Sequence, residues 1–148
     1  MKTIYVGIDQ SLTNTGVSII DGEKSPSFYS IKSKSFGVER LSFVGNEIIR
    51  IISEFVSKAG SYELIICREG YSYGSKSSSV FNLGELGGVI DVKIYESLNF
   101  KFKYYVIPPN TWKLIILGSG AVKKDTQYLL TAYDKTGVKF EDDNIADS

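Results

Sequence analysis

The stretch TIYVGID, residues 3–9, alternates apolar side chains with small or polar ones and stops at a carboxylate. A period of two predicts a buried strand with Asp9 at its tip. Next comes QSLTNTG, residues 10–16, with the turn formers Asn14 and Gly16, and an apolar run resumes over 17–20. Strand, turn and strand make a β-hairpin. Residues 27–36, SFYSIKSKSF, alternate again and predict a third antiparallel strand with Lys32 and Lys34 on its wet face.

The pattern then changes. Leu41, Val44, Ile48, Ile51, Ile52 and Phe55 follow the spacing of an amphipathic helix over 40–58. YELIICRE, residues 62–69, is a fourth strand, and it too ends at a carboxylate, Glu69. A helix is expected over 80–97, interrupted by Gly84, Gly87 and Gly88, and a short fifth strand over 104–107. Pro108-Pro109-Asn110 opens a helix carrying Trp112 and Lys113, and Gly118-Ser119-Gly120 ends it. Further helices are predicted over 123–133 and from 142.

This order implies an α/β layer fold with a five-stranded mixed sheet, three antiparallel strands then two parallel, flanked by helices. The 148 residues suit one domain, 1–148, without linker or repeat. The last helix is barely under way at Ser148, so it is expected to be truncated or disordered.

Composition narrows the chemistry. A hydrophobic fraction of 43% and a charged fraction of 23% are those of an ordinary soluble globular protein. No apolar run approaches membrane-spanning length, and no signal-peptide cleavage site follows Met1, so a cytoplasmic protein is expected. Cys67 is alone, which leaves neither a disulfide nor a cysteine-built zinc site within one chain. The absence of histidine removes Ser-His-Asp and Cys-His catalysis and His-ligated zinc. An enzyme built from what is left must use carboxylates, lysines, hydroxyls and a hard ion such as magnesium or manganese. A formal net charge of zero argues against a uniformly basic coat for nucleic acid.

The carboxylates fit that requirement. Strand ends hold functional groups rigidly at a crevice, and Asp9 and Glu69 both end strands. Asp147, with Asp143 or Asn144 about one turn earlier, adds a third acidic element on one helix face. Taken singly, Asp9 reads as a turn cap, Glu69 as an exposed strand end, and Glu141-Asp142-Asp143 as an ordinary helix start. Clustered, such groups repel unless cations hold them. A pair of divalent ions roughly 3.5–4 Å apart resolves the repulsion and supports in-line phosphodiester hydrolysis.

In four segments, in order, the chain resembles the RuvC family of Holliday-junction resolvases, particularly the shorter versions carried by phages. GIDQSLTNTGVSII resembles the family's first strand and hairpin, with Asp9 as the first metal ligand. EGYSYGSKSSSVFNLGELGGV is similar to its second block, with Glu69 as the second carboxylate, then an aromatic loop and a glycine-bearing helix. IPPNTWKLIILGSGAVKKD resembles the block that supplies two lysines, here Lys113 and Lys124, and DDNIAD the terminal acidic helix ending at Asp147.

The resemblance implies an RNase H-like fold, two Mg2+ or Mn2+ ions per site, and cleavage of four-way junctions and other branched DNA. Asp9, Glu69, Asp143 and Asp147 would hold the metal. Lys113 and Lys124 would reach phosphates, and Tyr71, Tyr73 and Lys76 would meet DNA beyond Glu69, unless both tyrosines instead pack on the surface of the sheet. Lys123 reads as a solvated surface lysine and Trp112 as a core residue. The family also implies a homodimer, each subunit cutting one strand. On the predicted second helix, Gly84 and Gly88 would admit a close neighbour, either the chain's own sheet or the partner. A phage-encoded enzyme would act in the host cytoplasm.

Two departures stand out. Asn144 occupies a position where the family has Asp or His, which leaves Asp143 or Asn144 as the fourth ligand. Arg68 stands where the family is apolar, on the face opposite Glu69, and must find a partner or reach solvent. Three rival readings share the motif or the fold. GIDQSLTNTG also looks like the phosphate-binding hairpin of actin-like kinases, which need two such domains. A ribonuclease H on RNA–DNA hybrids would use the same carboxylates, and Asn144 keeps open a binding module without catalysis.

Overall fold

The computed structural model describes residues 2–22, 25–71, 79–99 and 101–118. The helices expected over 123–133 and from 142, and the expected break after Ser148, lie outside these residues. The elements run β1 (Lys2–Asp9), β2 (Asn14–Asp21), β3 (Ser27–Lys32), α1 (Gly37–Val56), β4 (Tyr62–Glu69), α2 (Ser79–Ser97), β5 (Phe102–Ile107) and α3 (Pro109–Leu117). The sheet has the order β3-β2-β1-β4-β5. β1 pairs antiparallel with β2, and β2 with β3. β1 pairs parallel with β4, and β4 with β5. The expected mixed five-stranded sheet is therefore present.

Strand alternation puts one set of side chains against the helices. Ile4, Val6 and Ile8 of β1, Val17 and Ile19 of β2, and Leu64 and Ile66 of β4 are buried there. α1 covers this face with Val44, Ile48, Ile51, Ile52 and Val56, and α2 with Leu86, Ile90 and Ile94. The two helices touch at Gly45, where an added Cβ would lie 3.2 Å from the Lys93 stem and 3.4 Å from Val89. A larger side chain there would push α2 off the layer. Among the described residues no helix is long and apolar enough to cross a membrane.

Element ends differ from the expected ones for identifiable reasons. β3 stops at Lys32 instead of 36, because its last partner on β2 is Asn14, where that strand begins. α1 starts at Gly37 rather than 40, after an extended Phe36, with Gly37 itself at φ 54°, a conformation suited to glycine. β5 starts at Phe102 rather than 104, since Leu64 is available to pair with it. α2 runs without interruption through Gly84, Gly87 and Gly88.

Candidate metal and DNA site

The β1–β4 register pairs Ile8 with Arg68. The next residues, Asp9 and Glu69, thus end adjacent parallel strands on the same face, where strands lie about 4.8 Å apart. Both point away from the α1–α2 layer, since Ile8 and Arg68 point into it. Two carboxylates at neighbouring strand tips are the convergence that the sequence reading required.

The turn after Asp9 is stitched by two hydroxyls. Ser11 N–H donates to Thr15 Oγ1 at 3.2 Å, and the Thr15 hydroxyl donates back to Ser11 O at 2.7 Å. Thr13 and Asn14 N–H each donate to Ser11 Oγ at 3.4 Å. The expected turn formers Asn14 and Gly16 lie in β2 instead, where Gly16 pairs with Asp9. The serine and threonine hydroxyls do the turning because they satisfy backbone groups that a tight reversal leaves over. Asp9 itself is 4% exposed.

Glu69 is held from three sides. Gly70 N–H donates to Ile107 O at 2.8 Å, which ties the strand end to β5. Arg68 Nη1 donates to Glu69 O at 3.1 Å. The Trp112 indole N–H donates to Glu69 Oε1 at 2.9 Å. The third contact corrects the expectation that Trp112 is a core residue: it is half-buried and orients the carboxylate. Pro108 and Pro109 explain its placement. They start α3 directly after β5, with Thr111 N–H donating to Pro108 O at 2.9 Å, so the first turn lies beside the end of β4. The Lys113 ammonium lies 5.4 Å from the Trp112 ring centroid, placing the predicted phosphate-binding lysine at the same corner.

Arg68 finds the partner it needs. The guanidinium is gripped in a fork by Asp91 of α2, with Nε–Oδ1 2.9 Å and Nη2–Oδ2 3.0 Å, and its Nε also lies 3.0 Å from the Tyr104 hydroxyl. Burial disfavours the charged guanidinium, but the Asp91 and Tyr104 contacts outweigh it and raise its pKa. Burial, then donation to Asp91, pushes the Tyr104 hydroxyl well above the usual tyrosine range, with Arg68 pulling the other way. Tyr71, expected to face DNA, is half-buried, with its hydroxyl donating to Gly84 O at 3.3 Å and its ring 5.5 Å from Arg68 Cζ. Burial also raises the Cys67 thiol pKa, which keeps it protonated and a poor ligand.

The structure thus assembles Asp9, Glu69, Trp112 and Lys113. Tyr73, Lys76, Lys123, Lys124, Asp143, Asn144 and Asp147 lie outside the described residues. Among those described, no three His, Cys, Asp or Glu side chains cluster around a metal position. The donor set at the strand tips is nevertheless oxygen-only, which suits magnesium or manganese. The Trp112 bond engages one Glu69 oxygen and so fixes the direction of the other. What sequence reasoning missed was Trp112 and the Arg68–Asp91 pair. An indole beside a Pro-Pro helix start, and a strand arginine with an aspartate 23 residues later, were the available signals.

Three solved structures share the fold along most of their length. Thermus thermophilus RuvC matches with a TM-score of 0.70 at 17% identity, covering 97% of this chain and 87% of that one. The yeast mitochondrial Holliday junction resolvase matches with a TM-score of 0.52 at 13% identity, covering 97% and 73%. Thermus thermophilus RuvC in complex with its Holliday junction substrate matches at 0.66 and 16%, again over 97% of this chain and 87% of that one. No protein-family profile and no curated protein matches the sequence. At these identities the likeness establishes the architecture, a RuvC-type RNase H-like fold, and the site must be argued from its own residues.

Proposed function

We propose that the chain, as one nuclease domain over 1–148, is a divalent-metal-dependent endonuclease that cuts four-way DNA junctions and other branched DNA. The observation that carries this is the pair of carboxylates, Asp9 and Glu69, in register at the tips of adjacent parallel strands. The likeness to two resolvases, one solved with a junction, makes branched DNA the substrate to test first.

Asp9 and Glu69 would hold metal together with Asp147 and either Asp143 or Asn144. Two Mg2+ or Mn2+ ions bound there would lower the pKa of the attacking water and offset charge on the leaving oxygen. The chain's own groups do the remaining work. Trp112 holds the Glu69 carboxylate in one orientation. Lys113, and Lys124 with it, holds the scissile phosphate and balances charge as the transition state forms. Tyr71 is anchored to Gly84 and Arg68, and Tyr73 and Lys76 would meet the DNA.

Two cuts across a four-way junction need two sites, hence a homodimer. α2 offers a surface for it. Leu86, Ile90 and Ile94 face the chain's own sheet, whereas Phe81 is 80% exposed and a Cβ added at Gly84 or Gly88 would meet no described atom within 4 Å. Such an enzyme works where the DNA is, in the host cytoplasm if a phage carries it.

The test is strand cleavage of a synthetic four-way junction, a fork, a linear duplex and an RNA–DNA hybrid with Mg2+ or Mn2+. Paired nicks in the junction, with the duplex intact, are expected. Cleavage confined to the hybrid would replace this reading with a ribonuclease H.

A further inference from the structure

Arg68 lies next to Glu69 in the chain but faces the other layer, at 2% exposure. The other inward positions of β4 are Leu64 and Ile66, so an apolar residue would satisfy the packing there. The ion pair it makes with the half-exposed Asp91 is weak ground for stability, because even for fully buried pairs apolar replacements of similar volume are often neutral or better. The contacts of this guanidinium point to a different use. Asp91 and Tyr104 fix it from α2 and β5, at 2.9–3.0 Å. Its remaining amino group, Nη1, reaches Glu69 O at 3.1 Å, and the Tyr71 ring lies 5.5 Å from Cζ. One rigid fork therefore meets the main chain of the carboxylate residue and the ring of Tyr71, two residues on.

α2 is shaped to admit this arrangement. A Cβ on Gly87 would lie 2.1 Å from the Tyr71 hydroxyl, 2.8 Å from Gln10 Oε1 and 3.1 Å from Arg68 Nη1. Polar atoms from three segments thus converge on the one place where the helix has no side chain. Gln10 directly follows Asp9, so the cluster lies beneath both carboxylate-bearing strand ends.

We infer that Arg68 is a positioning residue: clamped by Asp91 and Tyr104, it sets the backbone of Glu69 and the loop root at Tyr71 as one unit. The inference rests on the nuclease reading for its purpose, but the clamp can be measured without cleavage. Two variants test it. Arg68→Leu/Asp91→Leu/Tyr104→Phe replaces the polar cluster with apolar packing. Arg68→Lys keeps a charge for Asp91 but offers a single point donor in place of the fork.

Three quantities are read for each: thermal melting, hydrogen exchange at the Gly70 and Tyr71 amides, and Mn2+ quenching of Trp112, the chain's single tryptophan. Junction cleavage adds kcat and KM separately. Both variants should melt within a few degrees of wild type, yet exchange faster at Gly70 and Tyr71. Both should need roughly 10–100-fold more Mn2+ to quench Trp112, with kcat falling in parallel. Wild-type exchange and wild-type Mn2+ affinity in a folded variant would overturn the inference, leaving Arg68 as filler. If the triple variant unfolds, Arg68→Lys decides by the same readings. Should the wild type bind no Mn2+ and cut nothing, the nuclease reading fails, while amide exchange still decides for or against the clamp.

Discussion

The two ends of β1 each lie beside a buried aspartate, and the two are handled differently. At the amino end Asp21 of β2 is 4% exposed and the Lys2 ammonium lies 2.5 Å from its Oδ1. At the carboxyl end Asp9 is equally buried, next to Glu69, and the described partner of Glu69 is a neutral indole N–H. The first carboxylate is neutralised by the protein itself. Glu69 is oriented but not neutralised by that contact, and two carboxylates a strand apart would favour a bound cation. On the proposed reading, Asp21 is a structural charge and the Asp9–Glu69 pair a functional one.

The largest expected effect is Glu69→Gln, which keeps the shape and an acceptor for Trp112 but removes the charge. Junction cleavage should fall to background in a protein that still melts like the wild type. Retained cleavage would place the metal site elsewhere. Trp112→Phe should leave the carboxylates present but poorly aimed, weakening Mn2+ affinity by roughly 10–100-fold in a calorimetric titration. Unchanged affinity would make the indole contact incidental.

At the other end of β1 the reverse is expected. Asp21→Asn should cost about 1 kcal/mol in denaturant unfolding, since Lys2 is partly solvated, and should leave cleavage unaltered. A cleavage defect there would erase the distinction between the two ends. The smallest effect is Cys67→Ala: a thiol kept protonated by its surroundings contributes no ligand, so metal affinity should not move.

The same contrast shows what was legible in the sequence. TIYVGID and YELIICRE announce strands by alternation and their terminal carboxylates by position, and the β1–β4 pairing then brings Asp9 and Glu69 together. The amphipathic spacing from Leu41 to Phe55 likewise places α1, because its buried stripe is a local property of the chain. Arg68 defeats this reading. Its partner Asp91 lies 23 residues away on a helix, and only the packing of α2 over β4 makes the pair. Trp112 defeats it for another reason. An indole is apolar enough to pass for core, and only the Pro-Pro corner after β5 turns its N–H toward Glu69. The turn after Asp9 was misread because Asn14 and Gly16 are strong turn formers in isolation, whereas Ser11 and Thr15 hydroxyls close it by bonds that depend on both strands being present.

The most direct test of the central claim is cleavage of a synthetic four-way junction in Mg2+ or Mn2+, wild type against Asp9→Asn, with junction binding measured in parallel. Paired symmetric nicks from the wild type, and none from a variant that still binds the junction, are the predicted result. Equal cleavage by both proteins, or binding without cleavage by both, would contradict it.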